Sequence, residues 1–327
     1  MLNGKSILIT GGTGSLGKEL TKTILAKWPE VKRLVIYSRD EQKQYQMAQE
    51  FSESEFPAIR YFIGDVRDLE RLKCAFNGID YVIHAAAMKH VHIAEYNPDE
   101  CTKTNIGGSE NVIKACFSTS VTKVVALSTD KACSPINVYG ASKFISERLF
   151  IDANFFSNDS KKKFSVIRLG NLMESAGSVI PFFKIKSKEG YLPISDPSMT
   201  RFSISIKDAA KHVLEILLNA WGSEIYVPKS ASYKILDLAI AVDEKCEFKI
   251  IGAKSFEKIH EELINIHEAK SSFDLGETYV ILPNKINWDL KDYLKTFGGV
   301  PVEADFNYSS EKNVKWESVK SLKSLMK

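Results

Sequence analysis

The chain has 327 residues, long enough for one large α/β domain or for two domains sharing a cleft. Its 44% hydrophobic and 26% charged residues sit near the globular average, which excludes a disordered, collagenous or disulfide-stapled protein. With 44 Lys plus Arg against 41 Asp plus Glu, the formal charge of +3 gives no whole-chain case for a nucleic-acid partner.

The first twelve residues run straight into an apolar strand and a glycine turn, without the apolar core and cleavage site of a signal peptide. No segment approaches the ~18 apolar residues that span a membrane, so no membrane partner is expected. Strand patterns follow at Ser6–Thr10, Leu34–Tyr37, Arg60–Ile63, Tyr81–His84, Lys123–Ser128 and Phe164–Arg168. Helical spacing fills Lys18–Trp28, Asp68–Phe76 and Ile106–Phe117 between them. Strands that alternate with helices and are apolar on both faces predict a doubly wound parallel sheet over residues 1–170. The basic run Lys161–Lys163 reads as a solvated turn. After about Asn171 the rhythm breaks into turn-rich segments at Gly177–Phe183, Pro193–Met199 and Asp274–Lys291. Glu224–Val227 reads as one later strand that rejoins the sheet. Residues 171–327 are expected to form mainly a smaller mixed α/β lobe that binds substrate over the sheet's C-terminal edge. The five cysteines (Cys74, Cys101, Cys116, Cys133, Cys246) are widely spaced with no C-x-x-C pair, which points to free thiols in the reducing cytoplasm.

Thr10-Gly11-Gly12-Thr13-Gly14-Ser15-Leu16-Gly17 lies at the first strand–helix turn. Gly11 permits the tight turn, Gly14 lets the backbone approach a pyrophosphate, and Gly17 allows close helix packing; the phosphates would rest on the helix N-terminus. In this context the pattern marks a Rossmann-type dinucleotide site, with Thr13, Ser15 and Leu16 as further contacts. The second strand ends at Ser38-Arg39-Asp40, followed by Lys43. The position that carries a ribose-binding carboxylate in NAD sites is Ser38, and Arg39 suits a 2′-phosphate, so NADP is expected; Asp40 is the counterargument for NAD. Asp65 and Val66 after the third strand are placed to hold adenine, and Ala85, Ala86 and Ala87 let a cofactor lie close to backbone. Tyr37, Tyr45 and Phe51 read as core or adenine-side packing. His90 and His92 lie two apart with no convincing third ligand, so no metal is expected.

Tyr139 and Lys143 stand four apart at the start of a helical segment and therefore share a face. A phenol with a pKa of ~10 is a poor base at neutral pH, and a nearby ammonium favours its phenolate. Such a pair beside a nicotinamide can take a hydroxyl proton while hydride leaves the same carbon.

The glycine pattern with Y-x-x-x-K resembles the extended short-chain dehydrogenase/reductase family. Leu127-Ser128-Thr129-Asp130-Lys131, Pro135-Ile136-Asn137 before Tyr139-Gly140, Met199-Thr200-Arg201-Phe202, Gly64-Asp65-Val66-Arg67-Asp68 and Lys89-His90-Val91 resemble the inverting UDP-N-acetylglucosamine 4,6-dehydratases of pseudaminic acid pathways. That resemblance implies oxidation at sugar C4, loss of water across C5 and C6, return of hydride to C6 and inversion at C5, with no net use of NADP. It also implies a UDP-sugar substrate, a product for surface glycans or flagellin, and a homo-oligomer. By resemblance Tyr139 takes the 4-OH proton, Asp130 helps the 6-OH leave and Lys131 is the base at C5, a task requiring a pKa depressed by burial or by Lys143. Lys89 is implied in cofactor binding, and Thr104, Asn171, Val179, Arg201 and Lys254 in substrate binding, with Asn105 supporting the helix of Lys143. On the residues alone, Arg201 could instead pair with Asp196.

The chain departs from the family pattern at Leu169, Glu174 and Ala176, and at Lys254, Ser255 and Phe256, where an arginine, a proline and a glycine are usual. These changes fall in the substrate half and leave the redox residues whole, so an altered sugar nucleotide or weaker binding is expected. The alternatives are a nucleotide-sugar 4-epimerase, which needs Tyr139 and Lys143 but not the Asp130–Lys131 pair, and a catalytically impaired NADP-binding protein.

Overall fold

The computed structural model describes residues 1–156, 161–173 and 175–326, so Glu174 lies outside the described residues. Six strands occupy the first half: β1 (Ser6–Thr10), β2 (Arg33–Ser38), β3 (Ile59–Ile63), β4 (Tyr81–His84), β5 (Lys123–Thr129) and β6 (Lys163–Leu169). Four more return from the second half: β7 (Ile225–Pro228), β8 (Ser272–Asp274), β9 (Thr278–Ile281) and β10 (Val300–Pro301). The sheet order is β10-β8-β9-β7-β6-β5-β4-β1-β2-β3. Strands β3 through β7 are parallel, and the last three pair antiparallel. One returning strand was expected where four are found. The extra three are short runs inside or beyond segments that read as turns, and they cover the edge that β7 would otherwise leave open.

Alternation along β1 builds both faces. Ile7 and Ile9 join Leu20, Ile24, Ile36 and Val213 on one side, while Leu8 joins Val35, Val82, Val112 and Phe150 on the other. Helix α1 (Ser15–Lys27) buries Leu16, Leu20, Thr21, Ile24 and Leu25, one stripe at helical spacing. Lys162 is not a solvated member of a basic run. Its ammonium donates to the carbonyls of Cys116, Thr119 and Val121 at 3.0, 2.9 and 3.0 Å, satisfying the C-terminal end of the helix Gly108–Phe117.

The lobe has its own apolar cluster of Met173, Ile180, Phe183, Leu192, Ile194, Met199, Tyr233, Leu238 and Leu322. Chain from the second half is tied to the sheet through Arg168 at the end of β6, which is fully buried. Arg168 Nε and Nη2 donate to Glu147 on α2 (Val138–Asp152) at 3.0 and 2.7 Å. Nη1 and Nη2 donate to Glu268 at 2.9 and 3.0 Å, and Nη1 also reaches the Leu263 carbonyl at 2.8 Å. Among the described residues no helix is long and apolar enough to cross a membrane.

Candidate active site

The strand order reverses between β1 and β4, which opens a crevice beyond their C-terminal ends. Gly11 has a φ of +65°, and a side chain there would meet the Ala86 nitrogen at 2.8 Å and the Ala85 carbonyl carbon at 2.9 Å. The glycine loop and the Ala85–Ala87 segment therefore pass backbone against backbone. Gly14 caps α1 without any side-chain acceptor, so the helix presents its first N–H groups free of a competing cap. Any side chain on Gly17 would collide with the Gly12 carbonyl. This cradle fits the pyrophosphate of a dinucleotide, while Leu16 is packed into the core beneath it.

The residues around the expected adenosine end are already engaged with one another. Ser38 Oγ and Thr13 Oγ1 share a hydrogen bond of 2.8 Å. Asp40 caps the helix Glu41–Glu50, accepting from the Lys43 nitrogen at 2.9 Å and pairing with Lys43 Nζ at 3.2 Å. Arg39 stays 61% exposed, with only a 3.9 Å approach to Asp65. Asp65, expected to accept from adenine, has its carboxylate taken up by Arg67, whose Nε and Nη2 donate at 3.0 and 2.8 Å. Those bonds hold the Asp65 carboxyl below its usual range against the opposing effect of burial. Val66 is buried beside Gly108. Tyr37 and Phe51 are buried, but Tyr45 is exposed and is not part of the core. Ser15 Oγ and Lys89 Nζ hold the Ala176 nitrogen and carbonyl at 3.1 and 2.5 Å, which seats the substrate-side turn on the cofactor loop. Gly177 of that turn leaves no room for a side chain beside the His90 ring.

At the end of β5 the chain makes a tight turn, Asp130–Ala132, against the first turn of α2. Asn137 caps α2, accepting from the Gly140 nitrogen at 2.7 Å. Asp130 is 1% exposed: its Oδ1 accepts from Thr129 Oγ1 at 2.8 Å and from Lys131 Nζ at 3.0 Å, while Oδ2 is buried with no partner. Lys131 Nζ also pairs with Glu261 Oε1 at 3.2 Å. Burial raises the Asp130 carboxyl, against the pull of Lys131. The Lys131 ammonium is raised, not depressed: burial lowers it, but Asp130 and Glu261 outweigh that cost. The expectation of a Lys131 loosened by burial or by Lys143 is thereby corrected.

Tyr139 is pushed up to about 12 by burial, and the cation that pulls it back is Lys131, assisted by the Thr129 hydroxyl. Lys143, expected to activate the phenol, is itself lowered to about 8 by burial, with Glu147 opposing. Asn105 does support the helix of Lys143. It accepts from the Met88 nitrogen at 2.8 Å and donates to Ser142 Oγ at 2.9 Å, bracing α2 against the loop after β4.

Among the described residues, Thr104 and Asn171, expected to contact substrate, each bury a polar oxygen without a partner, as do Ser128 and Ser178 next to Val179. Buried polar atoms left unsatisfied suit a polar ligand. Arg201 is not paired with Asp196. Its Nη1 donates to the Thr200 and Ile259 carbonyls at 2.7 and 2.9 Å, its Nη2 to Lys258 at 2.9 Å, and its Nε lies 3.9 Å from Glu261. Lys254 is exposed and lies over the Phe256 ring at 5.6 Å, apart from the buried cluster. Sequence reading missed Glu261, 2% exposed, whose only local signal is a carboxylate two residues before the apolar pair Leu263–Ile264.

The polysaccharide biosynthesis protein family model matches residues 7–283. The chain is 48% identical to a Campylobacter jejuni protein named UDP-N-acetylglucosamine 4,6-dehydratase (inverting), over 98% of this chain and 97% of that one. It is 38% identical to a Rickettsia conorii protein named UDP-glucose 4-epimerase, over 97% of this chain and 95% of that one. The X-ray structure of Pen from Bacillus thuringiensis superposes with a TM-score of 0.89 at 35% identity, covering 100% of this chain and 98% of that one. The chain belongs to the polysaccharide biosynthesis protein family, within the extended short-chain dehydrogenases/reductases.

Proposed function

We propose that the protein is an NADP-dependent inverting 4,6-dehydratase of UDP-N-acetylglucosamine. The observation that carries this reading is the buried Asp130–Lys131 pair on the turn beside Tyr139, because dehydration needs an acid and a base beyond the one base, Tyr139, that 4-oxidation uses. The glycine cradle would hold the pyrophosphate, Arg39 the 2′-phosphate, and Tyr139 and Lys143 the nicotinamide end. NADP specifically is supported by Asp40, whose carboxylate is spent on capping a helix and on Lys43 while Arg39 stands exposed. Bound there, the nicotinamide supplies a reversible acceptor for the hydrogen and electron pair exchanged with the sugar.

The chain's own residues handle the protons. Tyr139 takes the 4-OH proton, aided by the positive charge of Lys131 and the Thr129 hydroxyl. Once C4 is a ketone, the C5 hydrogen is acidic. Lys131 passes its proton to Asp130 along their 3.0 Å hydrogen bond, leaving a neutral amine and a neutral acid. Lys131 then takes the C5 proton as Asp130 gives its own to the departing 6-OH, which leaves as water. Both residues finish as the ion pair they started as; with the hydride returned to C6 of the resulting enone, a proton added to C5 from the opposite face, balanced by release of the one Tyr139 took from the 4-OH, completes inversion. The product, a UDP-4-keto-6-deoxy amino sugar, suits a cytoplasmic homo-oligomer feeding surface glycans or flagellin through a pseudaminic acid-type pathway.

The test is incubation with UDP-N-acetylglucosamine in heavy water followed by NMR. A 4-keto-6-deoxy sugar with deuterium at C5 is expected; an intact C6 hydroxyl with epimerised C4 overturns the reading. A second reading, a 4-epimerase, is favoured by the clamped ammonium of Lys131 and by the Rickettsia relative's name. Lys131→Ala separates them, since it stops dehydration and spares epimerisation.

A further inference from the structure

Glu261 is a buried carboxylate to which the proposed proton transfers assign no part. Its backbone is pinned, with the nitrogen donating to Ser310 Oγ at 2.9 Å and the carbonyl accepting from the Ser310 nitrogen at 2.8 Å. Its Oε1 lies 3.2 Å from Lys131 Nζ, and its Oε2 is buried without a partner. We propose that Glu261 is a positioning residue, whose buried negative charge holds Lys131 as an ammonium and keeps the Asp130–Lys131 pair supplied with the proton that the departing 6-OH needs. The inference rests on the dehydratase reading of the same site.

The charges that face Lys131 come from five elements. Asp130 lies on its own turn, Glu261 precedes the strand Glu262–Ile264, Arg201 lies on Thr200–Ile204, Tyr139 on α2 and Tyr233 on Ala231–Lys234. Lys258 acts in turn on Glu261. Arg201 alone would drive the proton off the pair. Glu261 works the other way on both members, raising the Asp130 carboxyl and the Lys131 ammonium together. The pair eliminates water only while it holds one proton between its two members. A second proton blocks the base, and loss of the only one removes the acid. Glu261 therefore sets where both limits fall. A carboxylate kept merely to neutralise its neighbours would support the fold without moving either limit.

The experiment uses the full chain carrying Glu261→Gln, with the aspartate carboxyls labelled with carbon-13 and the Asp130 signal assigned by its loss in Asp130→Asn. Without substrate, the midpoint of Asp130 is expected to fall by about one pH unit or more, the usual effect of removing one close charge. With UDP-N-acetylglucosamine, both limbs of the kcat profile move to lower pH by a similar amount. Glu261→Asp, which keeps the charge, leaves the midpoint and the limbs near their wild-type positions. Glu261→Ala replaces the amide variant if that does not fold, with the same displacement expected. An Asp130 midpoint and limbs that stay in place while activity simply falls overturn the inference. A wild-type protein that makes no keto sugar overturns the dehydratase reading instead, and the substrate-free titration still reports on Glu261.

Discussion

Gly140 of α2 lies directly against the carbonyl oxygen of Lys131, with no space for a methyl group between them. The contact brings the helix carrying Tyr139 onto the turn carrying Asp130 and Lys131. The same turn is held from the lobe by Lys258 Nζ, which donates to the Cys133 carbonyl at 2.6 Å, and Asn137 donates to the Phe256 carbonyl at 3.1 Å.

Gly140→Ala is therefore expected to part the helix from the turn. Overpacking of this kind costs about 1–3 kcal/mol of stability. Displacement of the phenol from the acid–base pair should lower kcat by roughly 10-fold to 100-fold. NADP affinity should hold, because the glycine cradle is untouched. Urea unfolding, steady-state kinetics and cofactor titration read the three effects separately.

Lys143 illustrates a site residue that opposes stability. Burial lowers its ammonium from 10.5 to about 8, so below that range the fold carries a desolvated charge at a cost of about 3 kcal/mol. Lys143→Met should abolish turnover yet unfold at higher urea than wild type at pH 7. The folded state gives up the proton first, so wild-type stability gains on the variant as pH rises from about 8 to about 10.5, and the gap closes there. Equal stability of the two proteins at pH 7 would contradict this.

On the NADP reading, cofactor choice rests on Arg39. Its replacement by Ala should weaken NADP binding by roughly 10-fold or more through loss of a charge-assisted contact to the 2′-phosphate, with NAD binding little changed. Calorimetry with both dinucleotides measures the ratio. Asp40→Ala should instead lower stability modestly by removing a helix cap, without favouring either cofactor.

The Arg168 cluster contributes to the acid sensitivity of the fold. Arg168 holds the Glu268 carboxyl below its usual range. The sign follows: the stabilisation is complete above the ordinary glutamate pKa of about 4.3 and is lost as pH falls through the lower folded value. Arg168→Met leaves the buried Glu147 without the guanidinium that pairs with it and Glu268 with only the more distant Arg148 at 3.4 Å, and should cost about 3 kcal/mol at pH 7. Chemical denaturation at pH 7 and at pH 4 tests both statements.

What was legible in the sequence is what is local. The glycine cradle spans eight consecutive residues, Tyr139 and Lys143 sit one helical turn apart, and Asp130–Lys131 follow a strand directly, so spacing alone exposes them. The first six strands were equally readable, since a sheet covered on both faces makes its strands uniformly apolar. Glu261, the Arg168 cluster and the fit of Gly140 against Lys131 were not legible, because each depends on segments that only folding brings together. The charge state of Lys131 was misjudged for the same reason: its second carboxylate arrives from the lobe. The short strands β8, β9 and β10 carry two to four residues each, too few for a two-residue period to stand out.

One guanidinium stitches both halves of the molecule, and this restricts how the chain can be cut or recombined. A fragment stopping at residue 170 would lose Glu268 from the interior partner set of Arg168 and would bare the flank of β6 that pairs with β7. Chimaeras that exchange only the lobe must therefore bring along the stretch from β7 to β10, so the inherited module is larger than the lobe itself.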